Sequence, residues 1–422
     1  MATLKKRGKK SGKSDPKKKV KKSLKIKKKK TSRKPLVKVV KKKKIVKKKV
    51  SARPIRVAKK KTFVKSKSLK KRVLKKPLKK KPHVSERERA PFLGKSIENP
   101  IIAPKGENGW EAWQTFNPGA ILLKDKVHFL YRAIGQDGLS RLGYAMSEDG
   151  FKINERLPYP VFEHYVKQRT FNIHSYFSGG SWGGCEDPRI VRVNNEDVLY
   201  MTYTAVADGE LRVALTSIKL KNFLKKIWKW KQPVLISAPG EVHKNWVIFP
   251  EKINGSYALL HSLNPKVQIA YLDNLNFENN GHIQSSYGGQ VNEGCWDSLI
   301  KGAGPPPIKT EYGWLLFYHA IDKNDWSKYK AGAMILDFQD PTKILFRSKT
   351  PVLESCETYE VNGYKPGVIY ISGAVVKGKD LLVYYGGADS FVCIAYANLK
   401  EFLESLIREV KPKLKQKVIK KK

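Results

Sequence analysis

The sequence predicts an all-β fold, a five-bladed β-propeller with a short C-terminal helix and a disordered Lys-rich N-terminal extension. From about residue 100, short alternating apolar and polar runs are separated by Gly, Asn or Asp turns, the pattern of strands and hairpins. One unit recurs five times: a strand, a turn, a Tyr-rich strand, a loop and a third strand. The units begin near residues 117, 187, 249, 304 and 372. Radial repetition closes a propeller with few exposed edges, whereas a β-sandwich, the alternative, does not need five such copies.

Charge and helical pattern define three segments. The net charge is +48, but residues 1–81 hold 41 Lys or Arg and one acid, and residues 411–422 hold seven Lys and no acid. Helical periodicity is clearest in LKEFLESLIREV at 399–410. We therefore expect a disordered tail (1–88), a propeller domain (89–410) and a basic C-terminal tail (411–422).

The Lys-rich tail predicts a partner class. Dense Lys runs attract phosphate polyanions without sequence preference, so nucleic acid is the predicted partner and anionic lipid the second choice. The alternative is a solubilising extension without a dedicated partner. No apolar run is long enough to span a bilayer or to form a secretory signal, and the four cysteines lack CxxC spacing. We expect a cytoplasmic protein without a metal, which could form a homo-oligomer.

The stretch GGCEDPRIVRV at 183–193 contains the main catalytic candidate. Asp187 lies between Glu186 and Arg189 at the entrance of an apolar strand. In a propeller, residues that precede the first strand of each unit meet at a central mouth, and we expect Asn117, Asp187, Glu251 and Ser372 there. Asp187 would transfer a proton; the alternative is an Asp–Arg pair that holds the loop. The nearby carboxylate would raise the pKa of Asp187 and Arg189 would lower it, and the sequence leaves that balance open.

Basic and aromatic side chains could converge on the same mouth and bind a phosphate or a sugar acid. The basic candidates are Arg132, Arg141, Arg212, Lys244 and Lys252, together with His261 and His319, which close two Tyr-rich strands. The candidate sugar-stacking rings are Trp110, Trp113, Trp296 and Tyr385. Taken singly, a basic residue is more often a surface charge, a lone His is often a core residue, and the aromatic rings are core residues by default. Motifs for a nucleophile, a zinc site or a phosphate loop are lacking, so the residues favour glycoside chemistry.

Several motifs occur in order over roughly residues 95–408 and resemble glycoside hydrolase family 130. They are FNPGA, GCEDPRI, HKNWVIFPEKINGSYALLH, KGAGPPPIKTEYGWLLFYH and LLVYYGGAD. The resemblance implies a five-bladed propeller that acts on β-mannosides, usually as a phosphorylase and in some members as a β-mannosidase. One departure is Ser262, which stands where the family commonly has a cation. That change would favour water over phosphate, unless Lys365 compensates.

The resemblance implies an inverting reaction on a non-reducing β-mannosyl unit, with Asp187 as the general acid. Its proton can reach the glycosidic oxygen through a substrate hydroxyl. Inorganic phosphate would be the co-substrate, with no other cofactor, and its implied ligands are Arg189, Arg212, Lys244 and His261. The implied sugar ligands are Asn117, Arg132, Arg141, Glu186, His319 and Asp389. Two alternatives remain: a hydrolase with Glu251 or Glu293 as base, and a non-catalytic glycan-binding propeller tethered to polyanions.

Overall fold

The computed structural model describes residues 93–167, 179–277, 281–286, 291 and 294–410 of the 422-residue chain. Within these residues the fold is mostly β, with twenty strands and three short α-helices. The two predicted basic tails, 1–88 and 411–422, fall outside the described residues. The predicted division of the chain into three segments stays a prediction. No helix in the described part is long and apolar enough to cross a membrane.

Five units of antiparallel strands follow a short first strand, β1 (Gly94–Lys95). Unit I contains β2 (Gln114–Leu123), β3 (Lys126–Ile134), β4 (Leu139–Ser147) and β5 (Glu155–Arg156). Unit II contains β6 (Gly183–Val191), β7 (Val198–Ala207), β8 (Glu210–Lys219) and β9 (Val234–Leu235). Unit III contains β10 (Val247–Ile248), β11 (Tyr257–Ser262) and β12 (Gln268–Leu272). Unit IV contains β13 (Leu299–Ala303), β14 (Ile308–Lys309), β15 (Trp314–Asp322), β16 (Asp325–Leu336) and β17 (Ile344–Arg347). Unit V contains β18 (Ile369–Lys377), β19 (Asp380–Gly387) and β20 (Phe391–Asn398).

Two pairings link separate parts of the chain. β1 pairs with β20, so the beginning of the described chain adds a strand to the last unit. β4 pairs in parallel with β6, which joins units I and II into one sheet. Helix α1 (Leu220–Leu224) follows β8, and α2 (Thr358–Val361) lies before unit V. Helix α3 (Leu399–Val410) confirms the predicted C-terminal helix and buries one face of its side chains against units IV and V.

The core consists of five apolar clusters, each between two consecutive units. One of them joins unit V to unit I and contains Phe129 and Tyr384, whose rings meet edge to face with centroids 4.7 Å apart. The five units therefore contact one another in a cyclic order. Because full burial of a large apolar side chain contributes about 1.5–3 kcal/mol, these clusters are the main source of stability.

Two glycines allow the first strands of neighbouring units to approach closely. A Cβ atom on Gly119 would lie 2.7 Å from the carbonyl oxygen of Pro188, and one on Gly373 would lie 2.7 Å from that of Pro118. Real Cβ atoms do not pack so closely, and only a residue without a side chain fits. The first strands of units V, I and II therefore lie backbone to backbone.

The prediction that Glu251 precedes the first strand of unit III is wrong. That strand is β10, and Glu251 follows it, whereas Asn245 lies two residues before it. Glu251 is half-buried at the opposite end of the unit, where it accepts a hydrogen bond of 2.6 Å from Lys309. Because β10 has only two residues, the sequence offers no alternation from which its position could be read.

The Tyr-rich second strands mainly serve the core. A buried tyrosine hydroxyl needs a hydrogen-bond partner, and Tyr131 donates to Glu111 while Tyr385 donates to Glu360, at 2.7 and 2.8 Å. Tyr385 is fully buried, so its predicted use as a sugar-stacking ring is wrong.

Candidate active site

Two β-bulges aim the main polar side chains of the site. The pairing of β2 with β3 shifts register between Phe116 and Gly119, and that of β6 with β7 shifts between Glu186 and Arg189. The bulged residues Asn117 and Asp187 have φ values of 44° and 49°, a left-handed conformation that Asn and Asp tolerate better than most residues. A bulge re-aims its side chain out of the strand alternation. As a result, Asn117 Nδ2 donates to Asp187 Oδ1 at 2.8 Å.

Arg132 holds two buried carboxylates. Its Nη2 donates to Glu186 Oε1 at 2.6 Å and its Nη1 to Asp187 Oδ1 at 3.3 Å, and the three side chains are at most 5% exposed. Glu186 also accepts a 2.9 Å hydrogen bond from the Ser181 hydroxyl. The structure therefore brings the predicted residues Asn117, Arg132, Glu186 and Asp187 together.

Arg189 links four units at the centre of the site. Its guanidinium donates to the carbonyl oxygens of Asp187 and Gly304, at 2.8 and 3.1 Å, and to Asn245 Oδ1 and the Tyr370 hydroxyl oxygen, both at 3.1 Å. These bonds occupy four of the five N–H groups of an arginine. Arg189 is thus a structural cross-link in the described structure, and its predicted role as a phosphate ligand stays a prediction.

The pKa of Asp187 lies below its ordinary value, which settles the balance that the sequence left open. Burial by itself favours the neutral acid, but the charges of Arg132 and Arg189, the hydrogen bond from Asn117 and the charge of Lys244 together outweigh it. Asp187 is therefore ionised near neutral pH in the unliganded protein.

Cations outnumber carboxylates in this cluster. Lys244 lies within electrostatic reach of Glu186, Asp187, Lys365 and Arg132, and burial is the main reason that its pKa is lowered. Lys365 Nζ lies 3.2 Å from Asp389 Oδ2. The cations are Arg132, Arg189, Lys244 and Lys365, and the anions are Glu186, Asp187 and Asp389. The surplus of positive charge suits an anionic ligand.

A small cavity next to Lys244 is lined by further polar residues. His261, Ser262 and Lys301 contribute to its wall. Burial, followed by the charge of His243, lowers the pKa of His261 to about 4, so its imidazole is neutral at pH 7, and its Nδ1 lies 2.8 Å from the Ser285 hydroxyl. Sequence reasoning missed Lys301, which sits at a bulge in β13, and burial lowers its pKa. A lysine inside an apolar strand just before a glycine was the available signal.

His319 and Asn117 each present a buried acceptor. The His319 ring stacks on Tyr370 with centroids 4.0 Å apart, and its Nε2 donates to Ile371 O at 2.8 Å. Burial, followed by repulsion from Arg189, lowers the pKa of His319 to about 3. His319 Nδ1 and Asn117 Oδ1 have no hydrogen-bond partner among the described residues. Because a buried acceptor without a hydrogen bond costs free energy, both atoms suit the hydroxyl donors of a sugar.

Two predicted residues bond elsewhere. Arg212 donates to Ser237 O, with its Nε at 3.1 Å. Arg141 donates to both carboxylate oxygens of Asp137, at 2.9 and 2.6 Å, and to Glu163 at 3.1 Å. The described structure does not join either arginine to the Asp187 cluster by a hydrogen bond, and their predicted ligand roles stay predictions. Residues that sequence reasoning missed are Asn245 and Tyr370, since amide and phenol side chains carry no charge signal.

The fold and the site together define a class of protein: a repeated β-meander protein with a buried carboxylate next to a cluster of cations. The chain belongs to glycoside hydrolase family 130, because the family model described as beta-1,4-mannooligosaccharide phosphorylase matches residues 77–408.

Similar proteins include several that are named phosphorylases. The chain is 37% identical over 320 residues to the 1,2-beta-oligomannan phosphorylase of Thermoanaerobacter sp. (strain X514). The matched region covers 73% of this chain and 98% of that protein. It is 35% identical over 320 residues to a beta-1,2-mannobiose phosphorylase of the same organism, covering 72% and 96%. The solved beta-1,2-mannobiose phosphorylase of Listeria innocua, in complex with beta-1,2-mannobiose, superposes with a TM-score of 0.58 at 25% identity, covering 75% and 99%.

Proposed function

We propose that this protein is an inverting β-mannoside phosphorylase built as a five-bladed β-propeller. Inorganic phosphate and a β-mannosyl oligosaccharide would give α-mannose 1-phosphate and a shortened acceptor. The observation that carries the proposal is the surplus of cations around the buried Asp187. The phosphorylase names of relatives at 33–37% identity support it, and those names also favour the β-1,2 linkage. The five cyclically packed cores support the propeller.

The low pKa of Asp187 explains why phosphate would enter before the chemistry begins. A general acid must carry its proton, yet the unliganded cluster keeps Asp187 ionised. A phosphate anion near Lys244 would offset the positive charge and raise the pKa of Asp187. Asp187 then takes up a proton from solvent and gives it to the glycosidic oxygen as the bond to the anomeric carbon breaks. A phosphate oxygen forms the new bond from the opposite face, which inverts the configuration.

Hydrolysis is the less favoured reaction because the described residues of the site include no carboxylate poised to activate water. Glu186 is bonded to Arg132 and Ser181, and Asp389 is paired with Lys365. Of the two bases named from the sequence, Glu251 pairs with Lys309 at the surface, and Glu293 lies outside the described residues. The Ser262 departure is offset by Lys301, which lines the same cavity.

Product analysis tests the proposal directly. We expect the protein to consume β-1,2-mannobiose only when phosphate is present and to release α-mannose 1-phosphate, detected by phosphorus NMR; β-1,4-mannobiose serves as the linkage comparison. Release of mannose without phosphate would establish a hydrolase instead. Binding of mannosides without turnover in either buffer would support the glycan-binding alternative.

The Lys244→Met variant tests the electrostatic argument. Since Lys244 helps to lower the pKa of Asp187, its removal raises that pKa. Catalysis needs protonated Asp187, so the rate falls as the pH rises through this pKa, and we expect the alkaline limb of the kcat profile to move to higher pH. The KM for phosphate should rise at least tenfold, about 1.4 kcal/mol of lost binding. The Lys309→Met variant, at an exposed lysine, is the control and should change neither the pH profile of kcat nor the KM for phosphate. If the alkaline limb of the Lys244→Met profile does not move, the electrostatic argument is contradicted.

We also propose a cytoplasmic location, which the four free cysteines support. Polyanion binding by residues 1–88 and assembly into a homo-oligomer stay predictions.

A further inference from the structure

An open cleft next to the carboxylate cluster is lined by three exposed aromatic side chains. Trp113, Trp182 and Tyr364 are 51%, 41% and 44% exposed, and Gln114, Gly180 and Ser390 complete the wall. Large aromatic side chains are usually buried, and several that are exposed together mark a binding surface. Their rings would lie against a ligand that enters the cleft.

The cleft shares its wall with the candidate active site. Gln114 Nε2 donates to Asp389 O at 3.0 Å, and Ser390 follows Asp389 in the chain. Ser181, between Gly180 and Trp182, donates to Glu186 at 2.9 Å. A saccharide with one unit at Asp187 could therefore continue into this cleft.

Two of the rings pack closely against glycines. A Cβ atom on Gly138 would lie 2.8 Å from the Trp182 ring, and one on Gly180 would lie 2.5 Å from the Tyr364 hydroxyl. Each ring thus rests on a backbone without a side chain. The Tyr364 backbone N–H also donates to the Ser390 hydroxyl at 2.8 Å. Because the rings are held before a ligand arrives, less conformational entropy is lost on binding.

A β-mannosyl unit matches such a surface. Its chair carries axial C–H bonds on one face, which pack against the face of an aromatic ring, while its equatorial hydroxyls point to the edges and reach polar groups. The cleft supplies both, since Gln114 and Ser390 flank the rings.

We propose that Trp113, Trp182 and Tyr364 bind the leaving-group part of a β-mannooligosaccharide beyond its first acceptor unit, and that they make the enzyme prefer longer chains. This inference rests on the proposed function. Only the non-reducing unit reacts, so the rest of a longer chain must leave the Asp187 site through an open mouth. The aromatic cleft begins next to Glu186 and Asp389. The described contacts therefore favour it as the path along which the rest of a longer chain leaves the Asp187 site.

The test compares substrates of increasing length. Trp113→Ala, Trp182→Ala and the double variant are assayed with β-mannobiose, -triose and -tetraose of the linkage that the wild type accepts. We expect the loss of kcat/KM to be about tenfold larger for the tetraose than for the disaccharide, mostly through KM. Tyr364→Ala should behave likewise. Its control is Tyr271→Ala, which removes an equally exposed tyrosine (45%) on β12 and should leave the length preference unchanged.

Equal losses for all lengths, or none, would overturn the inference, provided that the melting temperatures of the variants match that of the wild type. Calorimetric binding of the tetraose to Asp187→Asn, with and without Trp182→Ala, separates it from the proposed function. Tetraose affinity that falls at least fivefold with Trp182→Ala supports the inference even if the wild type turns over no mannoside, and unchanged affinity overturns it. Failure of the wild type to use phosphate with any mannoside counts against the proposed function alone.

Discussion

The Asp187→Asn variant is expected to lose at least 10²–10⁴-fold in kcat for phosphorolysis of β-mannobiose, the range that general acid catalysis contributes. Asparagine has the same shape and tolerates the left-handed backbone at φ 49°, so the fold should be unchanged. Its amide cannot supply the proton that the leaving oxygen needs. The measurement is kcat at saturating phosphate, with circular dichroism and the melting temperature as the check of folding.

A substrate that needs no protonation is the control for this prediction. An aryl β-mannoside with an acidic phenol leaves as a stable phenolate, so Asp187→Asn should retain most of its activity on that substrate. If the variant lost both activities equally, Asp187 would be a binding residue and not the general acid. Unchanged turnover of mannobiose would remove it from the mechanism.

The Arg132→Met variant is expected to lower the free energy of unfolding by about 3–5 kcal/mol, because it leaves buried carboxylates without their cation. Arg132 is 1% exposed and contacts both Glu186 and Asp187. Urea denaturation at pH 7 measures the effect. Arg141→Met is the matched control, since that arginine pairs with the more exposed Asp137 and Glu163 and should cost no more than about 1 kcal/mol.

The pH dependence of the Arg132→Met effect provides a second check. The pKa of Asp187 is depressed in the folded wild type, so this group stabilises the fold above its unfolded pKa of about 3.9, and that stabilisation is lost as the pH falls through the folded pKa. We therefore expect the difference between wild type and variant to be largest near neutral pH and to shrink below about pH 4. A constant difference would mean that lost packing, and not charge, is responsible.

Much of the site could be predicted from short motifs. The motif EDPR identified Asp187, Glu186 and Arg189, and NPG identified Asn117, because charged or turn-forming residues next to an apolar run conflict with a purely structural pattern; the structure places both motifs at bulges inside β6 and β2. The predicted helix at 399–410 is present for a similar local reason: its apolar spacing matches one helical face.

Other parts were not predictable because they depend on contacts between distant units. Asn245 and Tyr370 are 125 residues apart in the chain, and each joins the site through Arg189. The rings of Trp182 and Tyr364 gave no motif signal either, and the only signal for Lys301 was a lysine within an apolar strand just before a glycine. The placement of Glu251 failed because a two-residue strand has no periodicity.

The sequence alone determined the repeated strand unit and the near-neutral body between two basic tails, and it predicted Asp187 as the general acid. These are local properties: turn residues, alternation and charge are written along the chain. Only the tertiary structure decided that Asp187 is held ionised, that Arg189 acts as a cross-link, and that three aromatic rings share one cleft. Burial and charge act through space, so the pKa of Asp187 depends on Arg132 and Lys244 from other units, whose distances no linear pattern records.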